Sequence, residues 1–191
     1  MNGADHTAIY TGNNWVNNRW SWDWAMCPDQ YLMYGIYRGT WDENLRSITH
    51  IYCMRPKEGG YYVGYNTCFE QDVRSQWAWR GADRMAIHWA TCPSGYFMRG
   101  MLRSTAGHAE STIDNIERFY CCRLADNEAV ASVSCRSNNW WSCLDRPSFC
   151  GSAGWSMMVG MGRTQTNNKV WNIEESWSCY WKRTASTRQL P

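Results

Sequence analysis

The side chains with most chemistry to offer are ten cysteines, four histidines and three arginines that recur in one setting. Arg38, Arg103 and Arg163 each stand three residues after a glycine, Gly35, Gly100 and Gly160, and each is followed by small or hydroxyl-bearing residues. The sequences are Arg38-Gly39-Thr40-Trp41, Arg103-Ser104-Thr105 and Arg163-Thr164. A guanidinium fork flanked by hydroxyls can hydrogen-bond sugar hydroxyls or acidic groups. Trp41 adds a flat apolar face with a polar handle, which suits stacking on the C–H face of a pyranose. The candidate ligand-binding residues are therefore Arg38, Thr40, Trp41, Arg103, Thr105, Arg163 and Thr164. A competing reading has the same three arginines anchoring loops or reaching a neighbouring part of the chain, and both stay open at this point.

Catalytic patterns are absent. His6, His50, His88 and His108 are scattered without the H-E-x-x-H spacing that puts two ligands on one helix face, and no G-x-S-x-G occurs. The carboxylate pairs Asp42-Glu43 and Glu174-Glu175 are adjacent, and neighbours on a strand point to opposite faces, so neither can flank a scissile bond as a pair. The expectation is a binding protein, not an enzyme, with no cofactor and no metal. Nineteen basic and 17 acidic residues give a net charge of +2 with no run of five like charges, so the concentrated basic face that nucleic acid needs is missing. Arg99, Arg103 and Arg118 are the candidates for a local patch that could meet acidic glycans. No apolar stretch approaches the roughly 18 residues of a membrane-spanning helix, so a soluble protein without membrane insertion is expected.

The cysteines are Cys27, Cys53, Cys68, Cys92, Cys121, Cys122, Cys135, Cys143, Cys150 and Cys179. None forms a C-x-x-C pair, the short chelating loop that zinc sites usually use, so disulfides are the better reading. Disulfides in turn imply an oxidising, extracellular compartment and a secreted protein. The first residues have neither a basic start nor an apolar stretch, so any leader is taken to be absent.

The elements that must position these residues emerge from an internal repeat. From Cys27 the chain reads C-P-D-Q-Y-L-M-Y-G-I-Y-R-G-T on the way to Cys53. From Cys92 it reads C-P-S-G-Y-F-M-R-G-M-L-R-S-T on the way to Cys121, and from Cys150 a looser copy runs toward Cys179. Period-two alternation before each opening cysteine and short aromatic stretches before each closing one read as strands, with Gly, Ser, Thr and Asn loops between. The fold class predicted is all-β: three divergent repeats of short antiparallel strands, near 13–56, 77–124 and 138–183, packed with pseudo-threefold symmetry in a single disulfide-stapled domain spanning 1–191. Repeat logic pairs Cys27 with Cys53, Cys92 with Cys121 or Cys122, and Cys150 with Cys179. Of the remainder, Cys68 is assigned to Cys122 and Cys135 to Cys143.

The combination of Trp15-Val16-Asn17, Cys27-Pro28, Cys53-Met54-Arg55-Pro56 and Phe119-Tyr120-Cys121-Cys122-Arg123 resembles the dermatopontin family of extracellular matrix proteins and invertebrate agglutinins. The family's unit ends in Asp-Arg-Gln/Glu-Trp-x-Phe/Tyr-x-Cys; here only Asp114 keeps the acidic position, and the Arg and Trp after it are missing from all three copies. The resemblance implies cell or matrix adhesion, glycan or proteoglycan binding and agglutination, without catalysis. The expected function is thus a lectin-like, agglutinating protein with repeated weak sites strengthened by multivalency, including that of a homo-oligomer. Its expected partners are glycans or glycoproteins. The alternative is an adhesion protein that binds collagen, proteoglycan or other matrix proteins.

Overall fold

The computed structural model describes residues 5–10, 23–38, 48–58, 61–77, 87–103, 116–125, 134–139, 146–149, 156–163 and 173–180. These residues are mostly strand, with almost no helix. In chain order they form β1 (Asp5–Tyr10), β2 (Asp23–Met26), β3 (Leu32–Arg38), β4 (Ile48–Arg55), β5 (Lys57–Glu58), β6 (Tyr61–Tyr62), β7 (Tyr65–Asp72), the four-residue helix α1 (Arg74–Trp77), β8 (His88–Thr91), β9 (Phe97–Arg103), β10 (Ile116–Leu124), β11 (Ser134–Asn139), β12 (Arg146–Phe149), β13 (Ser156–Arg163) and β14 (Ile173–Tyr180). No helix among them is long and apolar enough to cross a membrane.

The strands assemble into three four-stranded antiparallel sheets and a small β5-β6 ribbon. The first sheet runs β1-β4-β3-β12, the second β7-β10-β9-β2 and the third β11-β14-β13-β8. Each is built on a hairpin of sequence neighbours, β3-β4, β9-β10 or β13-β14. Each also takes its fourth strand from elsewhere: β2, which leads into β3, pairs with β9; β8, which leads into β9, pairs with β13; and β12, which precedes β13, pairs with β3.

The glycines of the Gly-x-x-Arg pattern explain how these strands come so close. A Cβ on Gly100 would lie 2.7 Å from the Ala25 carbonyl oxygen of β2, and one on Gly160 would collide with the Ala90 carbonyl oxygen of β8. Real Cβ atoms are not found at such distances, so a side chain there would force the visiting strand away. Beyond the ladder, the Cys27 amide donates to the Arg99 carbonyl at 2.9 Å and the Cys92 amide to the Val159 carbonyl at 2.7 Å.

The strands β3, β9 and β13 touch one another pairwise. Around them lies a central core that includes Met33, Ile36, Ile51, Met98, Met101, Phe119, Met158 and Met161, all fully buried. Each such side chain contributes about 1.5–3 kcal/mol on removal from water. A second buried cluster on the other side of the strands gathers Leu32, Met54, Phe97, Cys122, Met157, Val159 and Cys179.

Four disulfides are present among the described residues. Cys27–Cys53, Cys92–Cys121 and Cys68–Cys122 agree with the sequence assignment. The adjacent pair Cys121-Cys122 is divided by strand alternation, Cys121 entering the central core and Cys122 the second cluster. The fourth bond, Cys135–Cys179, corrects two expectations, Cys150 with Cys179 and Cys135 with Cys143.

The reason is a one-residue offset in the third hairpin. Tyr52 faces Gly35, Tyr120 faces Gly100 and Trp177 faces Gly160. Counting on from these aromatics, the position of Cys53 and Cys121 is held in the third sheet by the buried Ser178, whose hydroxyl accepts from Asn138 Nδ2 at 2.5 Å. Cys179 therefore corresponds to Cys122, on the opposite face, and pairs with the residue directly across the ladder, Cys135. Cys143 and Cys150 lie outside the described residues. The stretches between the expected units, 57–76 and 125–137, carry β5, β6, β7 and the first four residues of β11, and β7 and β11 are hydrogen-bonded members of their sheets.

Candidate functional site

The three candidate arginines end β3, β9 and β13, and all are buried: Arg38 is 0%, Arg103 2% and Arg163 0% exposed. Arg38 Nη1 donates to the carbonyl oxygen of Ile173 on β14, which ties the first sheet to the third. All three side chains thus lie inside the fold, and the bond from Arg38 to Ile173 is an anchor of the kind the competing reading expects. Thr40, Trp41, Thr105 and Thr164 lie outside the described residues. The basic patch is not assembled either. Arg103 is buried, Arg99 Nη2 is 2.5 Å from Asp29 Oδ1, and Arg118 Nη1 is 2.5 Å from Glu70 Oε2.

On β3 and β4 of the first sheet the partly exposed side chains include four aromatic rings. The burial of β3 follows a period of three instead of two, with Tyr34 and Tyr37 half-buried between inward residues. A register shift between Met33 and Gly35 and another between Tyr37 and Arg38 cause this, since a bulge resets which face the next side chain takes. On β4, His50 and Tyr52 alternate with the buried Ile51 and Cys53. The four rings meet on one face. Tyr34 and Tyr52 have centroids 6.0 Å apart, Tyr37 and His50 5.9 Å in an edge arrangement, and His50 and Tyr52 6.4 Å, nearly parallel. Thr49 Oγ1 lies 2.9 Å from His50 Nδ1 and helps fix the imidazole. The Tyr34 hydroxyl is pushed above the ordinary phenol range by burial first and by Tyr52 second; Tyr52 is raised by burial and then by Tyr37. Both phenols therefore stay protonated, and so able to donate, well past neutrality.

The corresponding face of the second sheet is a clamp. Arg99 stands one residue before Gly100, as Tyr34 stands before Gly35. Its Nε donates to the Cys27 carbonyl oxygen at 3.1 Å, and its guanidinium lies 5.4 Å from the Tyr65 ring and 5.7 Å from the Tyr120 ring. Trp24 meets Tyr120 edge-on at 5.7 Å. The turn that Arg99 grips is closed by the Tyr31 amide donating to the Pro28 carbonyl, with Gln30 at φ 68°. The Gln30 amide donates to the Tyr65 hydroxyl, and Gln30 Oε1 accepts from the Tyr65 amide. A Cβ on Gly64 would lie 2.6 Å from that same oxygen, so this latch needs a bare backbone beside it.

On the third sheet the equivalent position is Val159. The turn Cys92-Pro93-Ser94-Gly95-Tyr96 repeats the hydrogen bond of its counterpart, Tyr96 amide to Pro93 carbonyl, with Gly95 at φ 82°. Here a cleft of about 260 Å³ opens between the turn, Val159 and the Cys135–Cys179 disulfide. The residue before the glycine thus sets three different surfaces: a ring platform, a cationic clamp and a small cleft. The sequence drew attention to the residue three after the glycine, and to Arg99 only as part of a basic patch, although Tyr34, Arg99 and Val159 already differ in the repeat alignment.

Comparison with known proteins adds no relative: no family model, no curated protein and no solved structure matches this chain.

Proposed function

We propose that this is a secreted carbohydrate-binding protein of the lectin type, built on three related units with pseudo-threefold arrangement, and that it acts by binding and not by catalysis. One observation carries the reading: the partly exposed cluster of Tyr34, Tyr37, His50 and Tyr52 on the first sheet. Flat rings with hydroxyl and imidazole edges bury the C–H face of a sugar while the edges hydrogen-bond its hydroxyls. The platform is held by two strands of a disulfide-stapled sheet, so little ordering cost accompanies binding. The four disulfides fit an oxidising compartment. In this reading the units present unlike surfaces, so avidity comes from multiple copies of the protein on a multivalent partner more than from three equal sites in one chain.

A glycan array spanning neutral, amino and sulfated sugars, repeated with Tyr52→Ala, tests the proposal. Signals on the array that fall at least tenfold with the substitution support it. A blank array, or signals indifferent to Tyr52→Ala, rejects it. Capture of a matrix protein that persists after its glycans are removed favours the adhesion alternative.

A further inference from the structure

The cleft beside Val159 is a place in the third sheet that the second sheet fills with its own side chain. The two turns share their frame: Cys27 and Cys92 each donate to the carbonyl of the residue before the glycine, and each turn closes with the same amide-to-proline-carbonyl bond. In the second sheet Arg99 occupies the space, donating to the Cys27 carbonyl oxygen and meeting Asp29. In the third sheet Asp29 is replaced by Ser94 and Arg99 by Val159, whose side chain has nothing to donate to the Cys92 carbonyl oxygen. The space, about 260 Å³, stays open.

We infer that this cleft is a second, smaller binding site that takes one neutral hydroxylated ring, a single hexose or N-acetylhexosamine residue. The inference rests on the carbohydrate-binding reading and assigns a further site to it. None of the lining residues among those described carries a charge, so a cation or an anion entering the cleft would find no counter-charge among them for the hydration it gave up. The walls combine apolar surface, from Pro93, Tyr96, Val159 and the disulfide, with hydroxyls from Thr91 and Ser94 and the turn's backbone. Such a lining suits a ligand with an apolar face and a hydroxyl edge. The volume lies below the range of about 300–1,000 Å³ typical of clefts for drug-sized molecules, which limits the occupant to one ring.

The test uses the intact oxidised protein with methyl-labelled valine and titrates methyl glycosides of hexoses and N-acetylhexosamines, with phenol and N-acetylarginine amide as control probes. Glycosides should shift the Val159 methyl resonances saturably. The double substitution Val159→Arg with Ser94→Asp, which installs the second sheet's clamp, should close the cleft and weaken that glycoside binding at least tenfold. Because Val159 is buried, Ser94→Trp on the exposed turn serves as an independent block, expected to abolish the Val159 shift while Tyr52→Ala leaves it unchanged. Glycosides that perturb Tyr34 and Tyr52 but never Val159 overturn this site and leave the platform standing. Glycosides that perturb neither overturn both. Saturation of Val159 by phenol or the arginine amide, with no response to glycosides, overturns the ligand class.

Discussion

Substituting Arg38 separates the two roles that the sequence offered for it. Arg38→Ala removes a fully buried side chain and the bond it donates to Ile173 on another sheet. Truncation to Ala removes two stem methylenes, Cγ and Cδ, which at about 0.8 kcal/mol each make about 1.6 kcal/mol. Leaving a buried carbonyl without its donor adds about 1–3 kcal/mol. The sum, about 3–5 kcal/mol, is a large part of the 5–15 kcal/mol by which domains are typically stable. For a chain of this size each kcal/mol lowers the melting temperature by about 2–4 °C, so a fall of about 6–20 °C is expected. Arg38→Met keeps most of the stem and should fall by less, because the cost of burying a guanidinium disappears with it. The assay is thermal unfolding by circular dichroism, paired with glycan binding measured well below the transition. The refuting result is an Arg38→Ala protein that melts within about 2 °C of wild type and yet loses glycan binding; the arginine would then belong to a ligand and not to the fold.

Gly100→Ala should destabilise by about 1–3 kcal/mol through overpacking against Ala25 of β2, and amide exchange should show β2 released before β10. Mild treatment with a small thiol followed by alkylation and mass spectrometry should label Cys135 before the other bonded cysteines, since it is the exposed partner of its bond whereas Cys27, Cys53, Cys92, Cys121 and Cys122 are buried. Tyr34 and Tyr52 have folded pKa values above the ordinary phenol value of 10.0, so the stability they confer is complete below that pH and is lost as pH rises through the folded values. Alkaline absorbance titration should therefore show late-ionising phenols whose number falls by two in a Tyr34→Phe, Tyr52→Phe double variant, Tyr65, which burial also raises, remaining among them. Asp72 is held below the usual carboxylate range, chiefly by its hydrogen bond with Arg74, so its contribution is present at neutral pH and fades as pH falls through the folded value. Half-exposed as it is, Asp72→Asn should cost no more than about 0.5 kcal/mol at pH 7, measured by urea unfolding, and nothing at pH 2.

The β-rich character was legible from alternation and turn residues, and Cys27–Cys53 from the repeat; the same repeat brought Cys92 to the pair Cys121-Cys122, and strand alternation in the structure decides between them, Cys121 for Cys92 and Cys122 for Cys68. The fourth bond was not legible, because the span from Cys150 to Cys179 equals that from Cys92 to Cys121, and equal spacing concealed a hairpin set one residue differently. The glycine opposite an aromatic, Gly35 with Tyr52 and Gly160 with Trp177, marks the register better than the cysteines do. The ring platform escaped notice because bulges beside Met33 and Arg38 break the period of two. Nor does a sequence reveal that an arginine turns inward; only the pairing of sheets brings the Ile173 carbonyl to Arg38.

The placement of β2, β8 and β12 makes the chain a closed circuit of loans. The stretch that opens the first hairpin completes the second sheet, the stretch that opens the second completes the third, and the stretch before the third completes the first. Excising any one hairpin with its leading strand would orphan one sheet's border and strand another border with nothing to lie against. Such an arrangement resists the gain or loss of a single hairpin, because either would disturb the border strands of two sheets at once, whereas Tyr34, Arg99 and Val159 differ without touching the pairing.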